Sequence, residues 1–312
     1  MSFTTIVKDE LCTKNGTKDE EISILSGFIR NNGILSHHKL LLTSENKHII
    51  DKIKKDIEEI YRKEVILEEI ANSNFSKKKL YQLSTKEDSF LEDISYYDNH
   101  KVKLGIPKDY IISSESLKKS YIQGVFLTAG SVNDPKTSRY HLELFIENKE
   151  EAVLIQKLLN EYELNAKILG REKGYMIYIK EAEKISDFLK ILEVNRAVLY
   201  YEDVRIYRDK KNQTNRLNNC EQANMDKIIK SGEEQLEQIA LIEEADCVNL
   251  LGEKEQIVME YRKKYPETSL QELAEIISIE TEKKITKSGL NHRFRKIKDL
   301  AIKIEKQRQR ER

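Results

Sequence analysis

Cysteine is scarce and scattered in this sequence. Cys12, Cys220 and Cys247 form no CxxC pair and no Cys/His cluster, so neither a zinc site nor a disulfide framework organises the chain. They are expected to be buried thiols in a reducing compartment. Long apolar runs are missing too: no stretch approaches the ~20 residues of a membrane span, and the opening MSFTTIVKDELCTK has no apolar segment. A cytoplasmic protein without membrane contact is expected. Net charge is also absent, with Lys+Arg and Asp+Glu both at 54, so only the distribution of charge along the chain bears on partners. The composition that remains, 39% apolar and 35% charged, is globular. A chain of 312 residues exceeds what one core usually organises, which predicts two domains.

The first two thirds repeat internally. LSGFIRNNGIL, from Leu25, matches IQGVFLTAGSV, from Ile122, with Gly27 over Gly124 and Gly33 over Gly130. An apolar strand follows in each copy, KLLLTSENK and HLELFIENK, ending in the same Glu-Asn-Lys. The glycine match is offset by 97 residues and the strand match by 102, which leaves a five-residue longer loop in the second copy, NDPKTS around Pro135. Helical spacing then recurs over residues 48–62 and 150–163. In the second copy the strands NAKILG and GYMIYIK are joined by a REKG turn, with Gly174 available for positive φ, and a helix over 181–192 closes the unit. The fold class is therefore α+β: two αββαββα repeats, about 20–95 and 113–195, paired as a pseudo-twofold unit.

The glycines admit two readings. Gly33 and Gly130 can be ordinary C-caps with Gly27 and Gly124 incidental. Alternatively, helix 25–32 packs face to face on helix 122–129, and Ser26, Gly27, Gly124 and Ala129 let the two backbones approach. A helix-interior glycine costs about 1 kcal/mol against alanine, and its recurrence at one spacing favours packing.

Charge changes sign in the last third. Residues 231–282 hold 14 acids against four Lys/Arg, and residues 283–312 hold 12 Lys/Arg against three acids. So dense a basic block is a footprint for phosphate, whereas a merely solvated tail accounts only for QRQRER. Upstream, residues 252–265 read as a helix ending at Pro266. Ser269 with Glu272 forms a capping box for a second helix, with Leu270, Leu273, Ala274, Ile276 and Ile277 as its apolar stripe. After SIETEKKI, Thr286 or Ser288 caps a third helix, with Leu290, Phe294, Ile297, Leu300 and Ala301 on one side and Asn291, His292, Arg293, Arg295, Lys296 and Lys298 on the other.

That layout is a helix-turn-helix with a recognition helix. Lys287, Ser288, Asn291, His292 and Arg295 are assigned to the groove of double-stranded DNA, and Lys284, Arg293, Lys296 and Lys298 to phosphates. Asparagine and arginine on one exposed face carry the assignment, because each makes bidentate base contacts. Between repeat and C-terminal domain, the Asn-rich YRDKKNQTNRLNNCEQANMDK is either a tether or the start of a long helix. A polar joint near 208–216 followed by a helix is expected, giving domains 1–208 and 225–312 with a linker at 209–224.

The paired glycine-bearing helices resemble those of the LAGLIDADG homing endonucleases. In that family the helices form the domain interface, and an acid before the final glycine of each motif holds a catalytic metal. The corresponding positions here are Asn32 and Ala129, and neither is charged. Magnesium requires hard anionic oxygens, so the resemblance implies a scaffold that no longer cuts, with no metal, no cofactor and no catalytic residue. Asp134 lies beyond the helix end and reads as turn chemistry. A wider resemblance covers essentially the whole chain: SFTTIVKDEL, YIQGVFLTAGSVNDP with YHLEL, NRLNNCEQANMDK, and SLQELAEII followed by TKSGLNHRFRKI are similar to the bacterial WhiA family of DNA-binding regulators. This implies a nucleoid-associated, non-enzymatic role in transcription, cell division and chromosome segregation, with sporulation in some lineages. SIETEKKI is longer than the short proline-containing turn of that family. Because HLELFIE places Glu143 and Glu147 on one face and EVILEEI adds acids, the N-terminal sheet is expected to hold DNA weakly and to offer a surface for protein partners.

Overall fold

The computed structural model describes residues 2–70, 79–87, 89–137 and 139–310. Ser138 of the NDPKTS loop and the last two residues of QRQRER lie outside the described residues. The chain divides into two compact units, one ending at residue 209 and one beginning at 210.

The first unit opens with α1 (Phe3–Cys12), started by Ser2, whose hydroxyl accepts from Thr5 N. The first copy is α2 (Lys18–Asn32), β1 (Ile34–Ser36), β2 (Lys39–Ser44), α3 (Lys47–Tyr61), β3 (Ile66–Ile70), β4 (Leu80–Lys86) and α4 (Phe90–Asp93). The second is α5 (Glu115–Ala129), β5 (Gly130–Val132), β6 (Leu142–Ile146), α6 (Lys149–Glu161), β7 (Lys167–Arg171), β8 (Gly174–Ile179) and α7 (Ala182–Ile191). Both sheets are antiparallel and share one strand order, β1-β2-β4-β3 and β5-β6-β8-β7. The αββαββα unit is thus present twice, as the repeat predicts. Local chemistry repeats with it: Asn46 caps α3 by accepting from His48 N, and its counterpart Asn148 caps α6 by accepting from Glu151 N.

Helices α2 and α5 pack along each other at the centre of this unit. Their contact is reciprocal. A Cβ on Gly27 would meet Val125 N at 3.0 Å and, closer still, the Tyr121 carbonyl oxygen. A Cβ on Gly124 would meet the Ile24 carbonyl carbon at 2.9 Å and Phe28 N at 3.0 Å. Ile24 and Tyr121, like Phe28 and Val125, are equivalent positions of the two copies, so each glycine admits the backbone that its own counterpart presents. Gly33 and Gly130, by contrast, are C-caps with extended φ of −71° and −86°, so no left-handed turn selects them. Space does, since a Cβ on Gly130 would strike the Phe126 ring.

Expectations about the sheet faces and the cysteines need correction. The outward positions of the sheets are not predominantly acidic. Register places Lys167 beside Tyr178 and Arg171 beside Gly174, on the face that carries Glu143, and sets Lys39 and Lys86 opposite each other on the first sheet. A single strand read alone misses the cations that neighbouring strands contribute. The cysteines are not all buried either: Cys220 is exposed, and Cys12 and Cys247 are half-buried. Burial, reinforced by Asp9, pushes the Cys12 thiol up to about 12.

The next helix, α8 (Asn195–Glu244), contains the division between the units. Its first turn is capped from α1, where the Glu10 carboxylate accepts from Arg196 N and Ala197 N, both at 2.9 Å. The joint expected near 208–216, and the linker over 209–224, are helical. That stretch contains neither Gly nor Pro, so nothing local interrupts a helix already started at Asn195. Its Leu217 and Met225 remain exposed, at 58% and 52%.

In the second unit, the end of α8 joins α9 (Glu253–Lys264), α10 (Leu270–Glu280) and α11 (Lys287–Arg310). Ile239 and Ile242 of α8 share a core with Val258, Met259, Leu273, Ala274, Ile277, Leu290, Phe294, Ile297, Ala301 and Ile304. No described helix is long and apolar enough to cross a membrane.

Candidate nucleic-acid interface

Asn32 and Ala129 stand at the ends of α2 and α5. Asn32 donates from Nδ2 to Thr43 O at 2.9 Å and accepts from Thr43 N at 2.8 Å, which fixes the helix end to β2. Ala129 has only a methyl. Asp134 holds its turn by accepting from Lys136 N at 2.9 Å. Among the described residues, no cluster of three or more His, Cys, Asp or Glu has a geometry that would hold a metal. The donors at the helix ends therefore do not fit a divalent ion: one amide is already satisfied and the other position has no oxygen.

The α9–α11 region is ordered by polar groups on its turns. Ser269 and Glu272 form the expected capping box at the start of α10. The segment SIETEKKI, longer than a short turn, splits between helix and loop: α10 continues to Glu280, and Ser278 then pins the loop by accepting from Ile285 N at 2.9 Å. Thr286, rather than Ser288, caps α11, its hydroxyl accepting from Gly289 N at 3.1 Å. Beneath this lies a residue the sequence reading missed. Arg262 is 2% exposed, and its Nη1 donates to Tyr265 O, Pro266 O and Thr268 O at 3.2, 3.1 and 2.7 Å. Its guanidinium lies over the Phe294 ring at 5.6 Å, tying the α9–α10 turn to α11. An arginine one turn before a proline was the available signal, but its burial was not visible from spacing.

Helix α11 buries Leu290, Phe294, Ile297, Ala301 and Ile304, with Leu300 half-buried beside them. Lys287, Asn291, Arg295 and Lys298 recur at helical spacing and form one exposed stripe. Ser288 and His292 are exposed next to it. Lys284 is exposed in the loop before the helix. Arg293 is half-buried on the flank, and Lys296 reaches back to Glu255 at 3.0 Å. Of nine predicted residues, the stripe thus gathers four, Ser288 and His292 border it, and Lys296 already has a carboxylate partner.

Residues 118–211 match the WhiA LAGLIDADG-like domain, and residues 214–301 match the WhiA C-terminal HTH domain. A protein of Enterococcus faecalis named probable cell division protein WhiA is 39% identical over 97% of this chain and 98% of its own length. Its namesake in Lactobacillus acidophilus is 40% identical over 96% and 98%. The crystal structure of full-length WhiA from Thermatoga maritima shares the fold, with a TM-score of 0.60 at 24% identity over 97% of this chain and 99% of that one. With both domains matched in order and near-complete coverage by these relatives, the chain belongs to the WhiA family.

Proposed function

We propose that the protein is a sequence-specific DNA-binding regulator acting in cell division and chromosome segregation, and in sporulation where the lineage sporulates, from a nucleoid-associated position in the cytoplasm. The observation that carries this reading is the exposed stripe Lys287, Asn291, Arg295 and Lys298 on a helix whose other face is buried in a helix-turn-helix core. Asn291 and Arg295 supply the bidentate chemistry that distinguishes bases, with Lys287, Ser288 and His292 beside them in the groove. Lys284, Arg293 and Lys298 steer to phosphates, and Lys296 does so only by exchanging Glu255 for one. The cell-division role rests on the name borne by the relatives. The N-terminal unit is a scaffold that does not cleave DNA, because its helix ends offer no anionic oxygen to a metal. Its sheet faces, mixed in charge, are available to protein partners.

The test is anisotropy binding of the full chain to genomic duplexes over a range of salt. Asn291→Ala and Arg295→Ala should each cost about 1–3 kcal/mol against the preferred site and much less against random duplex. Unchanged discrimination in the double variant would show that another surface reads the sequence.

A further inference from the structure

The repeat produces two equivalent notches in the first unit, and the two copies have equipped them differently. In one, the end of α2 meets β6 and the start of α6. There the buried charges are matched. Arg30 donates to Ser95 O and Leu104 O at 2.8 and 2.9 Å and lies 3.4 Å from Glu151. Glu151 also accepts from Tyr121 at 2.6 Å and from Asn31 at 2.9 Å.

In the other notch, the end of α5 meets β2 and the start of α3. Leu127 occupies the position of Arg30, and Ile49 that of Glu151, so the ion pair is gone. A cavity of about 700 Å³ opens there, with Phe28, Ile49 and Leu127 along its apolar side and α1 supplying a further wall. Two acids and four basic side chains line it. Asp9 is engaged by Asn46 at 2.7 Å and by His48 at 3.1 Å, and Glu45 is exposed. Lys79 is held by Glu69 at 2.9 Å. Lys8 and Lys47 have no carboxylate partner among the described residues. Lys8 is half-buried, with its ammonium 5.6 Å from the centre of the Phe126 ring.

An ammonium withdrawn from water without a counter-charge is costly, and a bound anion removes that cost. The size of the cavity decides what kind of anion. Ligand pockets run from about 300 to 1,000 Å³, far larger than a bare phosphate needs. We propose that this cavity binds a small phosphate ester of mononucleotide size, its phosphoryl group on Lys8 and Lys47 and its body against Phe28, Ile49 and Leu127. Burial lowers the Lys8 ammonium to about 8, so it is charged at neutral pH and responsive to an anion above it.

The test titrates the full chain, without DNA, with adenosine monophosphate and separately with inorganic phosphate, by calorimetry at neutral pH. Saturable one-to-one binding of the nucleotide is expected, weakened about tenfold or more by Lys8→Met and less by Lys47→Ala. Thermal unfolding of Lys8→Met confirms that the variant is folded. A second readout needs no variant: the nucleotide should protect Lys8 of the wild-type chain from acetylation by an amine reagent. No saturable binding at about 10 mM, equal affinity for inorganic phosphate, or unchanged affinity in the Lys8→Met variant overturns the proposal. Protection of Lys8 by duplex DNA but not by the nucleotide also overturns it, assigning the site to a strand phosphate.

Discussion

Replacing Gly124 with alanine tests the central seam directly, because two known effects oppose each other there. Helix propensity alone predicts a gain of about 1 kcal/mol, since alanine is the better helix former. Packing predicts the reverse. The new Cβ would lie 2.9 Å from the Ile24 carbonyl carbon, nearer still to its oxygen, and 3.0 Å from Phe28 N. These are backbone atoms of a neighbouring helix and cannot swing aside as a side-chain tip can. Restoring ordinary contact means parting α2 from α5 by more than an ångström, and overpacking of this kind typically costs about 1–3 kcal/mol, occasionally more. The clash should therefore win, leaving Gly124→Ala about 1 kcal/mol less stable than wild type, and about 2 kcal/mol at the upper end of that cost. Gly27→Ala should behave alike, because its Cβ would meet the equivalent atoms of α5. Gly289 is the control: its Cβ would meet only the Thr286 hydroxyl at 3.4 Å, so Gly289→Ala should stabilise by a few tenths to about 1 kcal/mol. Urea unfolding followed by circular dichroism measures all three. If Gly124→Ala proves as stable as wild type, close backbone approach is not what the glycine serves.

Three further outcomes follow from buried polar groups and from the helix ends. Burial, with Glu21 nearby and against the pull of Lys52, raises the Asp56 carboxyl to about 7. The native state then holds a proton that the unfolded state has lost between about pH 4 and 7, so stability falls as pH rises through that window. Asp56→Asn should remove this decline, and urea midpoints at pH 5 and 7 that drop by the same amount in both proteins would contradict the assignment. Arg262→Met strands three carbonyls at the α9–α10 turn and should cost at least about 3 kcal/mol, read as faster amide exchange in α10 and α11. Incubation of the full chain with supercoiled DNA and magnesium or manganese should produce no site-specific nicks, and a specific nick would restore a nuclease reading.

Much of the architecture is legible in the sequence. Equal spacing of Gly27 and Gly33 with Gly124 and Gly130, and the repeated Glu-Asn-Lys, signalled two copies, because close helix packing tolerates so few residue types. The capping box at Ser269 and Glu272 and the stripe from Leu290 to Ala301 placed α10 and α11, since caps and helical periodicity act within a few residues. Lys296 was less legible. Its place on the helix was readable, but its pairing with Glu255 depends on another helix.

What the chain determined by itself is therefore what depends on neighbours along it: repeat length, helix starts, the apolar and basic sides of α11, and the loss of acids at positions 32 and 129. Tertiary structure alone decided which strands contribute cations to the sheet faces, that Arg262 is buried under a turn, that the Asn-rich segment continues as helix, and that Lys8 lines a cavity with no carboxylate partner among the described residues. The division has one physical reason. Propensity and capping are set by residues three or four apart, whereas burial, ion pairing and cavity shape are set by groups brought together from distant parts of the chain.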